Sequence, residues 1–175
     1  LLERSLATLA RVPEIGCLIP VVAREDLERY ATLPLAHLGR RLRPAVPGGA
    51  ERQDSVAAGL AAVPEGIEMV AVHDAARCLV TLAEVTRVIE VARAHGAALL
   101  AHPARDTIKR VRRGVVLETP ARSECWVAQT PQVFRVELLR EAIEKARAES
   151  FVATDDAQLV ERLGVPVHVV AGSPR

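Results

Sequence analysis

Apolar and polar positions along the chain follow two periods in alternation. Residues 2–11 repeat apolar side chains at helical spacing, Ile15 to Ala23 form an apolar run of strand length, and a short helix is predicted from Glu25. Pro44-Ala45-Val46-Pro47-Gly48-Gly49 breaks the pattern, after which a helix is predicted from Asp54 to Ala62 with Asp54 or Ser55 near its start. A strand at Met69–Val72, a helix from about Leu82 to His95 and a strand at Ala97–Ala101 come next. Strand, helix and strand in this rhythm argue for βαβ units with right-handed crossovers, hence a parallel sheet flanked by helices. Residues 102–125 interrupt it with two basic, β-prone pieces, Asp106–Val111 and Gly114–Thr119, that predict a hairpin excursion from the main sheet. Helices over Val136–Glu149 and Asp155–Leu163 and a strand at Val165–Val170 restore the rhythm. No internal repeat or low-complexity linker divides the chain, so residues 1–175 read as one α/β domain.

Within that frame the stretch Val70-Ala71-Val72-His73-Asp74-Ala75-Ala76-Arg77 stands out. A buried parallel strand reads as such an apolar run, and ligands of open α/β sheets sit just beyond strand C-termini. Asp74 and Arg77 therefore fall where a substrate would bind. The two alanines let a nucleotide or phosphate approach the backbone, and Arg77 offers a forked cation suited to phosphate.

Composition narrows the function classes. Hydrophobic residues make up 50% of the 175 but aromatic ones only 2%, so the core is built from Ala, Val and Leu, as suits helices on a sheet. A chain of this length buries roughly 70% of its unfolded surface. Lys plus Arg number 23 against 22 Asp plus Glu, a net charge of +1 that gives no general polyanion-binding surface and disfavours nucleic acid. Cys17, Cys78 and Cys125 are widely spaced with no CxxC, which indicates neither zinc nor a disulfide framework and fits a reduced, cytoplasmic compartment. No apolar stretch approaches the roughly 20 residues that span a bilayer, so no membrane association is expected. His37, His95, His102 and His168 have no partner at ligand spacing, and no protein-bound metal is expected. Gly-x-Ser-x-Gly, a Walker loop and GxGxxG are all missing, which removes support for serine hydrolases, P-loop NTPases and dinucleotide dehydrogenases.

Taken singly, the remaining motifs have bland readings beside the functional ones. Gly48-Gly49 ahead of Asp54-Ser55 reads as an anion- or base-binding helix start, or as a glycine turn with a capped helix. Arg105-Asp106-Thr107-Ile108-Lys109-Arg110 is a substrate-binding edge or a charge-protected one. Arg122 belongs to the same excursion and either reaches a neighbouring subunit or sits on the surface. Gln129-Thr130-Pro131-Gln132 groups a hydroxyl and two amides suited to a polar ligand, or is a plain strand-to-helix connector, around a proline expected to end its strand before the helix at Val136. Thr154-Asp155-Asp156 reads first as a helix cap, one whose threonine can still face a ligand.

The order of these motifs is more specific than any one of them. Gly48-Gly49-x-Glu51-Arg52-x-Asp54-Ser55-Val56, His73-Asp74-Ala75-Ala76-Arg77, Asp106-Thr107-x-Lys109-Arg110, Gln129-Thr130-Pro131-Gln132-x-Phe134 and Thr154-Asp155-Asp156-Ala157 together closely resemble the 2-C-methyl-D-erythritol 4-phosphate cytidylyltransferases over nearly the whole chain. The resemblance implies a Rossmann-like nucleotidyltransferase fold, with a mostly parallel sheet flanked by helices and a protruding hairpin arm, here about residues 102–125, that embraces a second subunit. It implies transfer of a cytidylyl group from CTP to methylerythritol phosphate, with pyrophosphate released and Mg²⁺ held mainly through the CTP phosphates. By position, Gly49 and Ser55 would contact the cytosine end, and Asp74 with Ala75 would line the junction of nucleotide and acceptor. Arg77, Thr130 and Thr154 would hold the acceptor, while Thr107 and Arg122 would complete the partner subunit's site in a homodimer. Asp74 and Arg122 are the implied catalytic pair. The resemblance also implies a Gly-rich triphosphate loop ahead of Leu1 and a lysine-bearing segment after Arg175; neither lies within the 175 residues. Two rival readings are a ribitol 5-phosphate cytidylyltransferase, which shares fold and motifs, and a catalytically inactive dimeric relative.

Overall fold

A computed structural model of the protein describes residues 1–174; Arg175 lies outside them. The main sheet has four strands in the order β3 (Met69–Val72), β7 (Trp126–Arg135), β4 (Ala97–Pro103) and β8 (His168–Ala171). β4 and β8 pair parallel, whereas β7 lies antiparallel to both β3 and β4. Strands β3, β4 and β8 thus share one direction, and β7 alone opposes them. The excursion explains the reversal. The chain leaves β4 at Pro103, folds the hairpin β5 (Arg110–Arg112) and β6 (Val115–Glu118), and re-enters at Trp126 opposite Pro103, at the same end of the sheet, so the returning strand runs antiparallel to the one it left.

Side chains of the central strands alternate between two cores, as the period of two demands. Ala98 and Leu100 of β4 and Val133 of β7 pack on one face against α1 (Leu2–Leu9) and α4 (Leu82–His95). Ala97, Leu99 and Phe134 face the other way, onto α5 (Val136–Ala148) and α6 (Asp156–Glu161). The boundaries of α4 follow from local chemistry. Thr81 and Glu84 form a reciprocal capping box at its start, and Gly96, at φ 93°, ends it in a conformation that side chains resist.

Four expectations need correction. The apolar run from Ile15 is not a continuous strand: only β1 (Val21–Val22) pairs, in a separate two-stranded parallel sheet with β2 (Val46–Pro47), after a lone bridge from Leu18 to Leu42. Pro20 has no N–H to donate and breaks the ladder between them. The run at Met69–Val72 is not a fully buried strand in a parallel pair. β3 is the half-buried edge of the main sheet and pairs antiparallel. A cavity of about 650 Å³, lined by all four β3 residues, Leu6 and Val21, separates it from β1. The helix α3 (Arg52–Ala61) starts before Asp54 and is capped by Glu51, with Asp54 as the third helical residue in a capping box. Finally, Pro131 does not end its strand; β7 runs through it to Arg135, with a cis Thr130–Pro131 peptide. The missing N–H is tolerated because Pro131 lies beyond the last β3 pair, Val72 with Gln132, and inside the register shift of the β4 ladder between Leu99 and Ala101.

Candidate functional site

The end of β3 is fixed from β7. The buried Thr130 hydroxyl accepts the Asp74 backbone N–H at 2.9 Å and lies 3.1 Å from His73 Nδ1. A tight turn follows, closed by Arg77 N–H on Asp74 O at 2.9 Å, and Ser5 of α1 donates to Ala75 O at 2.8 Å. The exposed alanines of this turn leave its backbone open to a ligand. The Asp74 carboxylate, 32% exposed, takes Arg52 Nη1 on Oδ1 at 2.7 Å and Arg77 Nε on Oδ2 at 3.4 Å.

The loop before α3 stands beside it. Gly49 N–H donates to Ser55 Oγ at 3.1 Å, and Ser55 Oγ donates to Glu51 O at 3.3 Å. Close approach requires glycine at position 49, where a Cβ would stand 2.2 Å from Asp54 Cβ; a Cβ on Gly48 would stand 2.8 Å from Ser55 Oγ and turn that hydroxyl away from Gly49 N–H. From the other side comes the start of α6. Its cap is Asp155, which accepts from Gln158 N–H at 3.0 Å, so Thr154 stands one residue outside the helix, exposed, with its hydroxyl 3.3 Å from Gln158 Oε1. Gln132 of β7, 2% exposed, donates to Asp155 Oδ2 at 2.9 Å and accepts Ala157 N–H at 2.9 Å, which holds this helix start against the sheet.

Asp156 is buried and pairs through Oδ2 with Arg52 Nη2 at 2.7 Å. Burial pushes its carboxyl above the usual range, against the opposing pull of Arg52. Burial would lower the Arg52 guanidinium, but Asp156 and Asp74 together outweigh it and leave that group above its ordinary value. His73 moves the other way. Burial holds its imidazole below the ordinary value of 6.5, more than Asp74 raises it. A histidine depressed on folding adds stability above its unfolded pKa and loses it as pH falls through the folded one. The urea midpoint is therefore expected to drop as pH falls below about 6.5, and His73→Gln to flatten that part of the profile; equal pH dependence in both proteins would refute the assignment.

Gly49, Asp74, Ala75, Arg77 and Thr154 thus fall on the loops that converge near Asp74, with Ser55 in the first turn of α3 and Thr130 inside β7 beneath them. Thr107 and Arg122 do not join that hydrogen-bonded group. Both lie exposed on the excursion, where Arg122 Nη1 reaches Arg105 O at 3.4 Å. The sequence alone singles out none of Arg52, Asp156 and Gln132 as a site residue: Asp156 reads as part of a helix cap, Gln132 as one of two amides suited to a polar ligand. Arg52 lay inside a quoted motif without a partner to give it meaning, and an acid after a helix cap carries no sign that it will be buried.

The family model for 2-C-methyl-D-erythritol 4-phosphate cytidylyltransferase, IspD, matches residues 1–175. The chain belongs to that family. A 2-C-methyl-D-erythritol 4-phosphate cytidylyltransferase of Desulforamulus reducens is 43% identical over 99% of this chain and 75% of its own length. One from Symbiobacterium thermophilum is 49% identical over 88% of this chain and 65% of its own length. Among solved structures, the 4-diphosphocytidyl-2C-methyl-D-erythritol synthase of Anaerococcus prevotii superposes with a TM-score of 0.91 at 31% identity, covering 99% of this chain and 77% of that one. These cytidylyltransferases carry the expected α/β fold, and the present chain shares it.

Proposed function

We propose that the cluster around Asp74 is the active site of a cytidylyltransferase that takes CTP and 2-C-methyl-D-erythritol 4-phosphate to 4-diphosphocytidyl-2-C-methyl-D-erythritol and pyrophosphate. An oxygen of the acceptor phosphate bonds to the α-phosphorus of CTP in line, the bond from that phosphorus to the α,β-bridging oxygen breaks, and its electron pair leaves with pyrophosphate. The nucleophile is already anionic, so no strong base is needed; positioning and charge stabilisation supply the catalysis. What carries the reading is the carboxylate of Asp74 held between Arg52 and Arg77 at a strand end, in a chain of this family.

Gly49 and Ser55 serve the cytosine end, Asp74 and Ala75 the junction, and Arg77, Thr130 and Thr154 the acceptor. Thr107 and Arg122 serve the twofold-related site of a homodimer, which agrees with their exposure on an arm whose Val111, Val115, Val116 and Leu117 are 48–63% exposed. Among the described residues no cluster of three or more His, Cys, Asp or Glu side chains is placed to hold a metal, and both Asp74 oxygens already face arginines. A divalent cation accordingly enters with the triphosphate, as part of the nucleotide substrate. Among the described residues no helix is long and apolar enough to cross a membrane, and the three cysteines are unpaired, which supports a cytoplasmic enzyme.

Pyrophosphate release by the full-length protein, with CTP and each acceptor in turn, tests the reading. Turnover is expected with methylerythritol phosphate. Turnover with ribitol 5-phosphate alone would reassign the acceptor, and none with either would leave a dimeric relative without activity.

A further inference from the structure

Arg52 is the first residue of α3, three residues after Gly49, yet its guanidinium reaches two carboxylates distant in sequence, 22 and 104 residues away. One is Asp74, at the end of β3. The other is Asp156, in the first turn of α6 and 1% exposed. An ion pair with one member enclosed, Asp156, and the other, Arg52, 39% exposed is a weak device for stability, because desolvation of the acid and solvent screening of the arginine offset much of its Coulomb gain. What it does supply is geometry. The fork of an arginine is planar and rigid, so fixing one end fixes the direction of the other. Here Nη2 is anchored on a carboxylate enclosed by the protein, and Nη1 is thereby aimed at Asp74 Oδ1. Without it, the Asp74 carboxylate would keep, among the described residues, the 3.4 Å contact with the half-exposed Arg77 three residues on, a looser hold on its rotamer.

We propose that Arg52 is a positioning residue: anchored on Asp156, it holds the Asp74 carboxylate in its working rotamer and locks the nucleotide loop, the strand end and the acceptor helix into one unit. The proposal rests on the reading of Asp74 as part of the active site. It predicts that Arg52 acts on turnover through Asp74, rather than through substrate contact or through stability.

The test compares Arg52→Met, Arg52→Lys, Asp74→Asn, the double variant Arg52→Met/Asp74→Asn and the double variant Arg52→Met/Asp156→Asn, all in the full-length protein. Arg52→Met is expected to lower kcat by about 10- to 100-fold while the KM of either substrate moves less than about threefold. Arg52→Lys, a point charge unable to span both acids, should recover part of that loss. Adding Arg52→Met to Asp74→Asn should cost less than about threefold further, since residues that act through one another are not additive. Arg52→Met/Asp156→Asn removes the stranded buried carboxylate, so its Tm should return toward the parent value with kcat still low. A kcat that recovers along with Tm would show a merely structural role, and full additivity with Asp74→Asn an independent one; either overturns the proposal alone. Undiminished turnover in Asp74→Asn by itself would overturn the active-site reading together with it.

Discussion

Replacing Asp74 with Asn in the full-length protein is expected to cut turnover by at least about 100-fold and leave the fold intact. The side chain stands where the strand end, the α3 loop and the α6 start converge, and among the described residues it is the carboxylate shared by Arg52 and Arg77. Asparagine keeps the shape but gives up the charge that holds both cations in place. The fold has little at stake. The bond from Asp74 to Thr130 uses the backbone N–H, which the substitution retains, and Arg52 keeps its second partner, Asp156. Circular dichroism and a thermal melt should therefore match the parent while kcat collapses; unchanged turnover would remove Asp74 from the mechanism. Arg77→Ala separates binding from catalysis in the same assay. A raised KM for the acceptor with kcat intact would confine Arg77 to uniform binding, whereas a fall in kcat would place it on the developing charge.

Local rules spoke clearly wherever one segment decides its own structure. The 3.6 periodicity from about Leu82 to His95 reads as a helix, and α4 has those bounds. The basic, β-prone excursion reads as a hairpin and is one. What stayed hidden depends on partners distant in sequence. An apolar run at Met69–Val72 cannot declare that its neighbour is antiparallel, because that direction is set by how the chain returns from the excursion more than fifty residues later. Pro131 reads as a strand end until the neighbouring ladders are known to be interrupted around it. At the site, glycines, hydroxyls and the strand-end acid were legible as ligand-binding types, since their chemistry shows in isolation. The link from Arg52 to Asp156 was not, because burial of an acid emerges only once Gln132 and the start of α6 are packed over the sheet.

The arm carries the other large effect. Thr107 and Arg122 sit on an exposed excursion whose hairpin is a two-stranded sheet of its own, with apolar side chains facing outward on both strands. A lone hairpin of this length is marginal in water, and a partner that covers it would supply the missing burial. If the arm crosses to a twofold-related subunit, each active site combines Asp74 of one chain with Arg122 of the other. An Arg122→Ala chain alone and an Asp74→Asn chain alone then have both sites damaged. Co-expressed, they form mixed dimers in which one site receives Asp74 from the first chain and Arg122 from the second, both intact, while the other site receives neither. Partial activity is expected to return, up to about half the parent turnover per mixed dimer, since one of two sites is restored. Sites complete within one chain cannot complement in this way. Mixed dimers demonstrated by differential tags, yet no more active than the two separate variants, would show that Arg122 serves its own subunit or none.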